Sequence, residues 1–96
     1  MAAYVIADID VRDAKRYEDY KALAPPSIAA HGGKYLVRGG AVTVLEGDFK
    51  PNRFVILEFP SVEAAKRWWS SPEYAEAKRL RQECARTSMF VVEGNC

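Results

Sequence analysis

The sequence is poor in the residues that most often announce chemistry. It contains one histidine, His31, and two cysteines, Cys84 and Cys96. A lone histidine does not make a zinc site, whose ligands come as sets at short spacings, and no other His/Cys/Asp/Glu cluster has that spacing. No resident metal or cofactor is expected. Two cysteines are too few for a disulfide scaffold. One stands within an expected helix and the other is the last residue, so a bridge between them is not established. The glycines occur as the adjacent pairs Gly32-Gly33 and Gly39-Gly40, not in the spaced pattern of phosphate and dinucleotide loops. Nucleophile triads and internal repeats are absent. No apolar run approaches the roughly 20 residues that cross a bilayer. The opening MAAYVIADIDV carries acids and lacks the basic start of a secretory signal. A cytoplasmic protein with no membrane partner is expected. Charge of one sign is lacking too: Lys and Arg number 14, Asp and Glu 13, for a net charge of +1. So even a balance gives no electrostatic footprint for nucleic acid.

What is present fits one small domain spanning residues 1–96. Hydrophobic residues make up 49% of the chain. A first strand is expected over Ala3 to Val11, with Tyr4, Ile6, Asp8 and Asp10 on one face. Asp13 caps a helix whose apolar stripe is Ala14, Tyr17, Tyr20, Leu23 and Ala24. Pro25 and Pro26 are expected to stop or kink it near Ala24, leaving Ser27 to His31 as a short second segment. Gly32 or Gly33 supplies a left-handed cap. Strands follow over Lys34 to Arg38 and Ala41 to Glu46, as a bulged or bent edge strand or as a hairpin. Arg53 to Phe59 is the clearest strand in the chain. Ser61 caps a helix to about Trp69. Ser71-Pro72 starts another, which Thr87 and Ser88 close before a last strand from Met89 to Glu93. The order is that of a ferredoxin-like split βαβ sandwich, an α+β fold with an antiparallel sheet and its helices on one face.

The strands are apolar on both faces. An antiparallel sheet with one wet face alternates apolar and polar residues; Tyr4-Val5-Ile6-Ala7, Phe54-Val55-Ile56-Leu57 and Met89-Phe90-Val91-Val92 do not. The face away from the helices would expose Tyr4, Ile6, Phe54, Ile56, Met89 and Val91, or their opposite-parity neighbours. Such a patch calls for a cover. Only Gly94-Asn95-Cys96 follow the last strand in this sequence, so a second copy packed sheet against sheet is the expected cover.

With these elements placed, the chain resembles the family called domain of unknown function 1330, within the dimeric α+β-barrel superfamily. The likeness rests on YVIADIDVRD, GGKYLVRGG followed by VTVLEGD, RFVILEFPS, WWSSPEYAEAKRLRQ and FVVEG, in that order. It implies a ferredoxin-like monomer and a dimer whose two sheets form a barrel. It implies no established reaction. The superfamily includes cofactor-independent monooxygenases, heme-degrading enzymes, isomerases and ligand-sensing domains, and fold does not choose among them.

The candidate site follows from residue chemistry. His31, as an imidazole, is one candidate proton carrier, or else a helix-end residue bonding the last carbonyls. Asp8 is the other candidate proton carrier, an acid within an apolar strand; a salt bridge or solvation at the strand end would also explain it. Glu58 shares that oddity. It and Asp8 should lie toward opposite ends of the sheet. Arg38, beside Gly39-Gly40, could hold a carboxylate in bidentate fashion, or pair with Glu46, Glu58 or an acid of a partner chain. Tyr17, Tyr20 and Trp69 are candidate pocket aromatics, although aromatics at helical spacing also build cores. The expected function is binding of a small organic molecule between sheet and helices by a homodimer. That binding serves either a cofactor-independent enzyme or a non-catalytic ligand-binding or sensing dimer, with heme handling as a third option.

Overall fold

The computed structural model describes residues 2–95. Cys96, and with it any bridge to the buried Cys84, lies outside that range. The elements are β1 (Ala3–Val11), α1 (Ala14–Ala30), β2 (Lys34–Arg38), β3 (Arg53–Phe59), α2 (Val62–Trp69), α3 (Pro72–Cys84) and β4 (Ala85–Glu93). The four strands form one sheet in the order β2-β3-β1-β4, antiparallel throughout. This is the α+β, ferredoxin-like arrangement expected of the pattern.

Strand parity decides the core. In β1, Ala3, Val5, Ala7 and Ile9 are buried, and in β3 so are Val55, Leu57 and Phe59. They meet Tyr17, Tyr20 and Ile28 of α1, Trp68 of α2 and Tyr74 of α3. On the other face Tyr4, Ile6, Phe54 and Ile56 remain half-buried. In β4 it is Phe90 and Val92 that face outward, 56% and 46% exposed, while Met89 and Val91 pack on the core. Of the two parities open to β4, the register with β1 selects this one: Ile6 stands opposite Phe90 and Tyr4 opposite Val92.

Three expectations need correction. First, α1 does not end near Ala24; it runs through both prolines to Ala30. Pro25 lacks the N–H that would bond the Lys21 carbonyl. The Arg38 guanidinium donates to that carbonyl instead, at 2.9 Å. The last turns are held by burial of Ala24, Ser27 and Ile28. The Ser27 hydroxyl donates to Ala24 O at 2.7 Å and accepts from Trp68 Nε1 at 3.1 Å. Second, Ala41–Glu46 forms no strand. The β2–β3 ladder ends at Arg38 opposite Val55, next to the start of β3, so a continued strand would have no partner in its own chain. Gly39, at φ +74°, turns the chain away. All residues from Gly39 to Lys50 are exposed, and Leu45 is 95% so. The irregularity in the edge strand falls earlier, between Tyr35 and Val37. Third, Thr87 and Ser88 do not close a helix; they lie inside β4. The far end of β1 needs a partner, and Val11 pairs with Ala85. Arg12 N and Asp13 N donate to Cys84 O, fixing the helix end there.

The caps behave as their chemistry requires. Asp13, Ser61 and Ser71 each accept a backbone N–H three residues on. The end of α1 is a Schellman motif: Gly33 N donates to Ile28 O and Gly32 N to Ala29 O, with Gly32 at φ +78°. A Cβ on Gly33 would stand 2.6 Å from Phe59 Cε1 and 2.8 Å from Ile28 Cγ2. Both neighbours are buried and cannot yield easily. Gly33→Ala is therefore expected to lower unfolding stability by about 1–3 kcal/mol through overpacking, read from denaturant midpoints. A midpoint equal to wild type would show that this helix end is loosely packed.

Candidate functional site

The α1 face over β2 and β3 encloses a small hollow. Tyr17, Tyr20 and Lys21 come from α1, Tyr35 and Arg38 from β2, and Arg53 from β3. Apolar core residues and Trp68 complete it. Its free volume is about 20 Å³, space for roughly one water. Arg38 lies across the mouth, its guanidinium carbon 4.7 Å from the Tyr35 ring centroid. Arg53 lies 5.6 Å from the Tyr17 centroid, and its Nε is buried without a hydrogen-bond partner. Gly39 makes room for this guanidinium, which a Cβ would strike.

The charges are one-sided. No carboxylate lines the hollow. Lys21 pairs outward with Glu18 at 2.9 Å; among the described residues no acid pairs with Arg38 or Arg53. Burial pushes the phenols of Tyr17 and Tyr35 above the ordinary tyrosine value, with Arg53 and Arg38 respectively pulling back. Burial, and then the Tyr74 hydroxyl 2.8 Å away, raises Tyr20 far more. The phenols thus stay protonated beside two guanidiniums. The arrangement offers hydrogen-bond donors to an anion and no group suited to take up a proton.

The structure brings three of the expected site residues together, Tyr17, Tyr20 and Arg38, and separates the others. His31 sits at the end of α1, its Nε2 2.9 Å from Glu73 Oε1 in the first turn of α3. The hydrogen bond to His31 holds the Glu73 carboxyl below its usual range. Asp8 is on the outer face and accepts from Asn52 N at 2.7 Å, closing the turn before β3. Glu58, also outward, faces Lys34 at 4.0 Å. As expected, Asp8 and Glu58 lie toward opposite ends of β1 and β3, with Asp8 opposite Phe54 and Glu58 opposite Tyr4. Trp69 is 44% exposed under the Lys78 ammonium; its buried neighbour Trp68 is the one that reaches the hollow. Sequence reasoning missed Arg53 and Tyr35 as lining residues. The signal was parity: Arg53 alternates with Val55, Leu57 and Phe59, so it faces inward with them.

Among the described residues no three His, Cys, Asp or Glu are grouped to hold a metal ion, and no helix is long and apolar enough to cross a membrane.

Fold and site together define a small ferredoxin-like α+β protein with one four-stranded antiparallel sheet. The chain belongs to the family named domain of unknown function (DUF1330), whose model matches residues 2–95. None of the proteins of curated function matches it. Among solved structures it is similar to RPA0582, a protein of unknown function from Rhodopseudomonas palustris, at 23% identity and TM-score 0.78 over 99% of this chain and 83% of that one. It is similar to a dimeric ferredoxin-like protein of unknown function from Jannaschia sp. CCS1, at 11% identity and TM-score 0.72 over 98% and 100%. It also resembles SnoaB, a cofactor-independent oxygenase from Streptomyces nogalater, at 13% identity and TM-score 0.68 over 99% and 94%.

The buried phenols set an alkaline limit. Below about pH 10 both folded and unfolded tyrosines are protonated. Above it the unfolded chain loses protons first, because the folded values of Tyr17, Tyr20 and Tyr35 are raised. Stability should therefore fall as pH rises past 10, and phenolate absorbance from these three should appear together with unfolding. Ionisation of all five tyrosines near pH 10 in a folded protein would contradict the site described.

Proposed function

We propose that this protein is a homodimer that binds a small organic acid in the hollow beneath Arg38, without acting on it as a proton-transfer enzyme. The observation that carries the binding is the pairing of Arg38 and Arg53 with protonated phenols in a space that no carboxylate enters. Buried or half-buried cations without counter-charges are costly, and a bidentate carboxylate is the geometric match for a guanidinium. The free space holds only about one water, so a ligand enters by displacing Arg38. That side chain is exposed and is held by one hydrogen bond to Lys21 O and by stacking on Tyr35. A ligand carboxylate takes the place of that carbonyl as acceptor.

The choice of binder over enzyme follows from placement. His31 and Asp8, the two candidate proton carriers, both lie outside the hollow. The phenols within it stay protonated because burial raises them, so none is free to take up a proton. Likeness to an oxygenase at 13% identity supports the fold alone.

The dimer is supported by the outer sheet face. Tyr4, Ile6, Phe54, Ile56, Phe90 and Val92 share it, and at roughly 25 cal/mol per Å² their cover is worth several kcal/mol. The segment after β2 adds Val42, Val44, Leu45 and Phe49, all exposed on this chain. The similar Jannaschia protein is itself described as dimeric.

Sedimentation at micromolar concentration should show a dimer, and Ile56→Lys should give a folded monomer; a wild-type monomer with this face open would end the dimer reading. In a thermal-shift screen of small organic acids, a ligand at about 100 times its Kd adds roughly 2.7 kcal/mol of stability. That gain should vanish in Arg38→Ala and Arg53→Met. Equal gains in wild type and Arg38→Ala would reject the site.

A further inference from the structure

A guanidinium is also buried on α3, beside the Tyr20–Tyr74 hydroxyl pair. Arg81 of α3 is 4% exposed. Its Nε donates to the Tyr74 hydroxyl at 3.3 Å, and among the described residues no acid pairs with it. The nearest acid in sequence, Glu83, is exposed and is taken by Arg16 and Arg79. Arg81 lines a cleft of about 320 Å³ between α3 and β4, together with Gln82, Thr87, Trp69 and Met89. The Thr87 hydroxyl oxygen is buried and has no partner. Two polar groups that can donate thus line the same cleft: a guanidinium bonded to a neutral phenol with no acid beside it among the described residues, and a hydroxyl with no partner. A folded protein rarely leaves such groups without a reason.

The cleft continues past Trp69 and Met89 into an apolar one of about 360 Å³, lined also by Val5, Trp68, Phe90 and Val91. Trp69, between the two, is held from outside: Lys78 Nζ lies 3.8 Å from its ring centroid and donates to its carbonyl at 3.0 Å. The polar end and the apolar end are therefore separated by one fixed indole.

We infer that this double cleft is a second ligand site, distinct from the hollow beneath Arg38, for an amphiphilic organic anion. The carboxylate sits between Arg81 and Thr87, and an aryl or medium-length alkyl body lies over Trp69 and Met89 against Val91. The anion meets the guanidinium and the threonine hydroxyl at once, which no group of the chain does. An alcohol of the same shape brings a single uncharged acceptor in place of a carboxylate, so the site prefers acid over alcohol.

The test is calorimetric titration of the full chain with 2-naphthoate and with the neutral 2-naphthylmethanol. The acid should bind about tenfold or more tightly than the alcohol, the scale of one hydrogen bond to a charged group. Arg81→Gln should abolish that preference and Arg38→Ala should keep it. Thr87→Val should weaken the acid about five- to tenfold, leave the alcohol unchanged and raise the melting temperature of the free protein, because an unpartnered hydroxyl has gone. If Arg81→Gln fails to fold, Thr87→Val decides alone. Equal binding of acid and alcohol, no binding of either, or undiminished acid binding by Thr87→Val would overturn the site. Loss of the preference in Arg38→Ala would overturn it as well, and move the anion to the hollow.

Discussion

The constraint on which this structure turns is a sheet that is apolar on both faces with helices for only one. The helix side is filled by aromatic residues: Tyr17, Tyr20, Trp68 and Tyr74 pack in one layer over β1 and β3, with Trp68 and Tyr74 ring centroids 4.2 Å apart. Nothing comparable covers Ile6, Ile56 and Phe90, which stand side by side across three strands. The same imbalance explains the loop after β2. Its valines and leucine have no place in the core of their own chain, because the sheet that would receive them is already complete.

The layer beneath the helices is held by unusual means. Two consecutive prolines remove backbone donors from α1, and the chain answers with side chains. Arg38 takes the carbonyl that Pro25 leaves free, and Ser27 ties the same turns to Trp68. A helix defect thereby recruits a guanidinium from the neighbouring strand and sets it across the mouth of a hollow. One contact thus serves both the helix and the closure of the hollow, and Arg38 itself is held only by that hydrogen bond and by a ring face.

Arg53 and Arg81 face the helix–sheet layer and Arg38 lies exposed at its edge, none with an acid beside it among the described residues, while the acids engage in outward pairs such as Arg16 with Glu83 and His31 with Glu73. Net charge near zero conceals this sorting.

The fold was legible because its signals are local. Alternation marks β1 and β3, and Asp13, Ser61, Ser71 and Pro72 mark helix starts whose bonds close within three residues. The apolar excess was legible too, since parity is a property of each strand alone. The candidate site was legible only in part. Arg38, Tyr17 and Tyr20 carry the right chemistry in sequence, but His31 and Asp8 carry it equally and lie elsewhere, because direction depends on which strand or helix each faces. Arg53 and Tyr35 entered through strand register. Local patterns misled where a distant partner decided: Ala41–Glu46 reads as a strand and has none to pair with, and Pro25-Pro26 reads as a stop that a carbonyl cap from β2 overrides. What the residues by themselves determined was which segments are helix or strand and how much apolar surface they carry, since both arise within a few neighbours. Which cations lost their acids, and which hollows they line, was decided only when segments far apart in the chain were packed together, because burial and pairing are properties of that packing.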